Sequence, residues 1–131
     1  MPVSYDLLEQ FFEEINLSSF MHFLDIGCGK GRAMCVAAAY EINKISGVEL
    51  SKELYNIAKE NIAVTKLKYP STNFKIYHND AFYFEIEKDV DCIFFFNPFD
   101  ETIMNGVMEN IRQRRQTWCR WNFEWYSSCR C

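Results

Sequence analysis

Apolar residues follow two rhythms along this chain of 131 residues. Leu7, Leu8, Phe11, Phe12 and Ile15 recur at helical spacing, which predicts an opening helix with Ser4 as its N-cap. The run "FLDI" (23–26) then reads as a buried strand. "GRAMCVAAAYEI" reads as a helix whose alanines suit close packing on a sheet. A second strand follows in "KISGVEL" (44–50). Ser51 caps a third helix, with Leu54, Ile57, Ala58 and Ile62 on one face and Pro70 beyond its end. "NFKIYH" (73–78) is a third strand. "VDCIFFFN" (90–97) is a continuous apolar strand, the pattern expected when both faces are covered. Asp100 caps a fourth helix carrying Ile103, Met104, Val107, Met108 and Ile111. Such alternation predicts an α/β fold, a parallel sheet with helices on both faces. No internal repeat is visible.

The rhythm stops near Arg112. All three tryptophans and three of the six cysteines lie after it, and lysine gives way to arginine. The chain therefore divides into a core over residues 1–112 and an atypical tail over 113–131. Residues 1–110 hold 9 Lys/Arg against 17 Asp/Glu, and residues 111–131 hold 5 Arg against 1 Glu, for a total of −4. An acidic body argues against a broad nucleic-acid footprint. The opening residues are acidic and do not form a signal peptide, and no apolar run reaches the ~20 residues of a membrane helix. A cytoplasmic protein with reduced thiols is expected, with Cys28, Cys35 and Cys92 as small core residues. Cys119, Cys129 and Cys131 match no zinc spacing, so no metal site is expected.

"LDIGCGKGRAM" (24–34) carries the chemistry. The turn from the first strand into the next helix needs glycine for positive φ and for close backbone approach to a ligand. Ligands of such sheets sit at the carboxyl ends of the strands. The spacing is G-x-G-x-G, whereas a dinucleotide-binding turn reads G-x-G-x-x-G. Asp25 would repel a pyrophosphate and suits a cationic ligand group. Glu49, ending the second strand, can accept from ribose hydroxyls. The alternatives at these positions are a tight turn with no ligand and a solvated strand end.

These residues resemble the class I S-adenosylmethionine-dependent methyltransferases, most closely a small bacterial branch of undefined substrate. "FLDIGCGKGRA" is similar to the family's first motif and "GVELSKELYNIAKENI" to its second strand and helix. "NDAF" (79–82) and "FFFNPF" (94–99) are similar to its later loops. The resemblance implies a Rossmann-like three-layer sandwich with a mostly parallel sheet, C-terminally incomplete here. It implies S-adenosylmethionine as cofactor. Asp25 would lie near the cofactor's amino group, with Gly27, Cys28, Gly29 and Gly31 beneath it. Glu49 would hold the ribose, followed by Leu50 at the same site. Asp80 would accept from the adenine amino group, and Ala81 would offer its N–H. Asn97 would line the site and serve catalysis through its amide, although Asn97-Pro98-Phe99 has one proline where members that methylate nitrogen have two. Asp80 and Asn97 read equally well as turn residues. Neither His22 nor His78 is expected to be catalytic.

The expected activity is methyl transfer to an unidentified acceptor, a small molecule or a protein. The alternative is a cofactor-binding domain without turnover, because strands of the family fold are missing beside the fourth. A dinucleotide oxidoreductase is disfavoured by the glycine spacing. A single-stranded nucleic-acid role for the Arg/Trp tail lacks a scaffold. The missing strands predict an exposed sheet edge and self-association, with the tail able to supply an improvised strand.

Overall fold

A computed structural model describes residues 5–96, 105–106, 108–109 and 119–121. Helix α1 (Tyr5–Glu14) is followed by strand β1 (His22–Ile26), helix α2 (Arg32–Ala37), strand β2 (Lys44–Glu49) and helix α3 (Lys52–Lys68). Strands β3 (Asn73–His78), β4 (Cys92–Phe96) and β5 (Cys119–Trp121) complete the sheet. Its order is β3-β2-β1-β4-β5, with every pairing parallel. The strand order reverses between β1 and β4, which opens a crevice at the carboxyl ends of the strands. The strand that the tail was able to supply lies beside β4, where Phe94–Phe96 pair with Cys119–Trp121. Ser4, Asn97 and Asp100 lie outside the described residues. Residues 105–106 and 108–109 are helical.

The alternation of β1 assigns its side chains to two different cores. Phe23 faces α1, α2 and α3, where Leu8, Phe11, Phe12, Met34, Ile62 and Phe94 form a continuous apolar cluster. Leu24 and Ile26 face the other side with Val48, Ile93 and Phe95. No helix covers that second face between β3 and β4 in the described chain. The irregular connection does so instead, burying Ala81, Phe84, Ile86 and Val90, with Met108 packed beside them. The periodic residues of α1 behave as their spacing requires, with one exception. Leu8, Phe11, Phe12 and Ile15 are buried, whereas Leu7 falls at the margin of the stripe and is exposed.

Helix α2 is shorter than the run "GRAMCVAAAYEI" suggests. It gives way to a 3₁₀ turn at Ala38–Tyr40, and Glu41 takes a left-handed conformation (φ 61°). The chain must reverse there to bring Lys44 level with His22 in the sheet. At the amino ends of the strands a polar network built on the buried His22 and Ser46 pins β1 to β2. His22 Nδ1 lies 3.0 Å from Asp89 Oδ1 and Nε2 lies 2.7 Å from Ser46 Oγ. The carboxylate can only accept, so Nδ1 carries a proton and donates to Asp89. Lys44 Nζ binds the other Asp89 oxygen at 2.8 Å. No helix of the described residues is long and apolar enough to cross a membrane.

Candidate cofactor site

The glycine loop leaves β1 at Ile26 and is drawn at once onto β2. Gly27 N and Cys28 N both donate to Val48 O, at 2.8 and 3.0 Å. Gly31 N donates to Cys28 O at 2.9 Å and closes the turn. Asn61 of α3 clamps the outside, its Nδ2 donating to Lys30 O at 2.9 Å. Gly27, Gly29 and Gly31 have φ of 75°, 57° and 84°, a conformation that costs an L-residue roughly 1–2 kcal/mol. Two of these glycines also serve different spatial ends. A Cβ on Gly31 would reach van der Waals contact with Ala58 at 3.4 Å, so α3 packs close against the loop there. A Cβ on Gly29 would meet no atom of the described residues beyond its chain neighbours within 4 Å, so among them the space over Gly29 is open.

Two acids flank the loop at the carboxyl ends of β1 and β2, in contrasting surroundings. Glu49 is 9 % exposed, and both its oxygens are engaged. Oε1 accepts from Gly29 N at 2.7 Å and Oε2 from Ser51 N at 2.9 Å. Ser51 in turn caps α3 by accepting from Leu54 N at 3.2 Å. Asp25 is 3 % exposed, and its carboxyl has no hydrogen-bond partner among the described residues. Burial, and secondarily the charge of Glu49, push its pKa well above the usual carboxylate range. The Cys28 thiol is also pushed up, mainly by burial, and is an inert packing group under the loop.

The raised Asp25 has a signed consequence for the free protein. Its folded pKa exceeds its unfolded one, so the folded state holds more protons over the interval between them. Stability therefore falls as pH rises through that interval. We expect Asp25→Asn to remove this decline, leaving the melting temperature near wild type in acid and raising it at neutral pH. A pH series of thermal melts without ligand checks it; parallel curves for the two proteins would show that Asp25 has the same pKa folded and unfolded.

The structure brings the end of β3 to the same edge. Asn79 N donates to Glu49 O at 3.1 Å. Asp80 and the buried Ala81 follow, Asp80 Oδ1 accepting from Phe82 N at 2.9 Å in a local turn. Leu50 is 63 % exposed, and its carbonyl lies 2.9 Å from His78 Nε2, which donates to it. His78 also packs on the Tyr55 ring, with centroids 5.3 Å apart. Asp25, Gly27, Cys28, Gly29, Gly31, Glu49 and Leu50 thus meet at the carboxyl ends of β1 and β2, and Asp80 and Ala81 adjoin them through Asn79. Asn97 lies outside the described residues. Sequence reading misses Asn61, His78 and the Ser51 amide. Asn61 and His78 act on backbone carbonyls and Ser51 acts through its own amide, and no residue pattern marks such roles.

The match to known families settles the relationship. The model of the methyltransferase domain family aligns with residues 17–117. The chain belongs to the methyltransferase domain family. No curated protein matches it significantly. Among solved structures, this methyltransferase domain is similar to the RNA methyltransferase from Salinibacter ruber in complex with S-adenosyl-L-homocysteine. That match has 14 % identity and a TM-score of 0.71, covering 87 % of this chain and 71 % of that one. It is also similar to an S-adenosylmethionine-dependent methyltransferase from Clostridium acetobutylicum, with 16 % identity and a TM-score of 0.71, covering 90 % of this chain and 50 % of that one. At these identities the likeness is one of fold. The chain spans as little as 38 % of the length of other such neighbours.

Proposed function

We propose that this domain binds S-adenosylmethionine at the carboxyl ends of β1 and β2 and transfers its methyl group to an acceptor. The observation that carries the proposal is Asp25: a carboxyl 3 % exposed, without a partner among the described residues, at the carboxyl end of β1 where the glycine loop begins. A buried polar group is costly unless it is satisfied, and the ammonium of an amino-acid ligand would satisfy this one. Glu49 fits the ribose. Each of its oxygens accepts one backbone N–H and retains a lone pair for a hydroxyl donor. We assign the adenine edge to Asp80 and Ala81, which follow Asn79 beside Glu49, with the exposed Leu50 as an apolar surface near it. Asn97, next in sequence after β4, is the residue we assign to the acceptor side.

When bound, the sulfonium supplies an activated methyl group. The chain's own task is to hold and align the partners and to exclude water, which can contribute several kcal/mol. Calorimetric titration with S-adenosylhomocysteine, with NAD as the control ligand, tests the assignment. Tight NAD binding without S-adenosylhomocysteine binding would overturn it. Glu49→Ala is expected to weaken binding by about 1.5–3 kcal/mol, roughly 10- to 150-fold. An unaltered dissociation constant would remove Glu49 from the site.

A further inference from the structure

The two acids of the site are satisfied unequally. Glu49 receives two backbone N–H groups, which stabilise a carboxylate. Asp25 receives none among the described residues and lies deeper. The groups facing Asp25 add nothing to compensate. β2 contributes Glu49, an anion, and the glycine loop contributes the Cys28 thiol. β4 places Phe94 beside it in register. Arg32 of α2 has its guanidinium over the Tyr5 ring of α1, 4.8 Å from the centroid. No cation among the described residues offsets the burial of Asp25. A charge held in that position without a counter-ion would be expensive.

We propose that ligand capture at this site is a proton exchange: Asp25 is a neutral acid in the free protein, and the arriving ammonium of the ligand's amino-acid portion displaces its proton to solvent. This rests on the cofactor assignment above and adds the state of the site before binding. The Asp25 O–H bond breaks and the proton passes to the bulk buffer. The ammonium keeps all its protons and donates one hydrogen bond to the carboxylate left behind. One positive charge enters as one leaves, so the buried space never holds an unpaired carboxylate. The exchange makes Asp25 a specificity-determining residue: it discriminates for the ammonium-bearing half of the ligand, and it does so more strongly as pH rises. Affinity should climb about tenfold per pH unit while Asp25 is protonated in the free protein, then level off once it ionises there.

The test is calorimetry on the whole chain at about pH 6 in two buffers of different ionisation enthalpy. S-adenosylhomocysteine is titrated against 5′-methylthioadenosine, which has the nucleoside but no ammonium. We expect net proton release with S-adenosylhomocysteine, approaching one per ligand as the pH is lowered, and none with 5′-methylthioadenosine. Asp25→Asn has the shape of the neutral acid. It should remain folded, bind S-adenosylhomocysteine more weakly, release no proton and lose the pH dependence. Wild-type binding of S-adenosylhomocysteine without proton release overturns the exchange and leaves the cofactor assignment standing. So does equal release with both ligands. An absence of S-adenosylhomocysteine binding overturns the cofactor assignment, and the exchange with it.

Discussion

Gly29→Val is expected to abolish binding of S-adenosylhomocysteine, by at least about 100-fold, in a chain that still folds. Two effects combine in the bound state. The valine side chain would project into the space over Gly29, where no atom of the described residues beyond its chain neighbours lies within 4 Å of the Cβ, so it takes volume from the ligand and not from the core. A β-branched residue also resists the left-handed backbone there, at φ 57°. Relaxing that angle would move the Gly29 N–H that holds Glu49 at 2.7 Å. The cost to the free protein is only the backbone strain, roughly 1–2 kcal/mol, against a typical total stability of ~5–15 kcal/mol. Gly31→Val separates the two effects. Its side chain would strike Ala58 of α3, so it should lower the melting temperature more than Gly29→Val does. Calorimetry with circular dichroism measures both, and a Gly29→Val chain that binds like wild type would place the ligand elsewhere.

Phe12→Ala is expected to produce the largest loss of stability, about 3–5 kcal/mol, or roughly 10–20 °C in melting temperature. Phe12 is fully buried and meets four other rings. Its centroid lies 6.0 Å from Phe11, 5.6 Å from Phe23, 5.8 Å from Tyr40 and 5.5 Å from Phe94. Those partners come from α1, β1, the turn after α2, and β4, so one ring joins the opening helix to the sheet. Truncation leaves a cavity that none of these rigid rings can fill. Denaturant unfolding measures it. A cost below about 1 kcal/mol would mean that α1 is not docked on the sheet as described.

Much of the site is legible in the residues because its demands are local. The loop 27–31 needs positive φ at alternate positions, and only glycine meets that need without strain. Ser51 caps α3 through its own backbone neighbourhood. The unbroken apolar run "CIFFF" announces a strand covered on both faces, and β4 is one. Other features resist reading because they join distant parts of the chain. Glu49 reads as a ribose acceptor, but not as a group already bound to the amide of Gly29, twenty residues earlier. The alanines of "GRAMCVAAAYEI" favour helix throughout, yet α2 ends at Ala37 because the chain has to reach the start of β2 in register with β1. The open edge expected beside β4 is paired by Cys119–Trp121, three residues with no strand signal of their own.

By itself the sequence determined the parallel α/β architecture, the position of the glycine turn and the presence of acids at 25 and 49. These follow from hydrophobic period, backbone conformation and residue chemistry, which act over a few positions. The tertiary structure alone decided that the β3–β4 connection covers the second face with Phe84, Ile86 and Val90, that β5 lies beside β4, and that Asp25 and Glu49 differ in kind. Two carboxyls of nearly equal intrinsic acidity become a hydrogen-bonded acceptor and an isolated buried acid. Desolvation and hydrogen bonding depend on every atom packed around a group, and that packing is known only once the chain has folded.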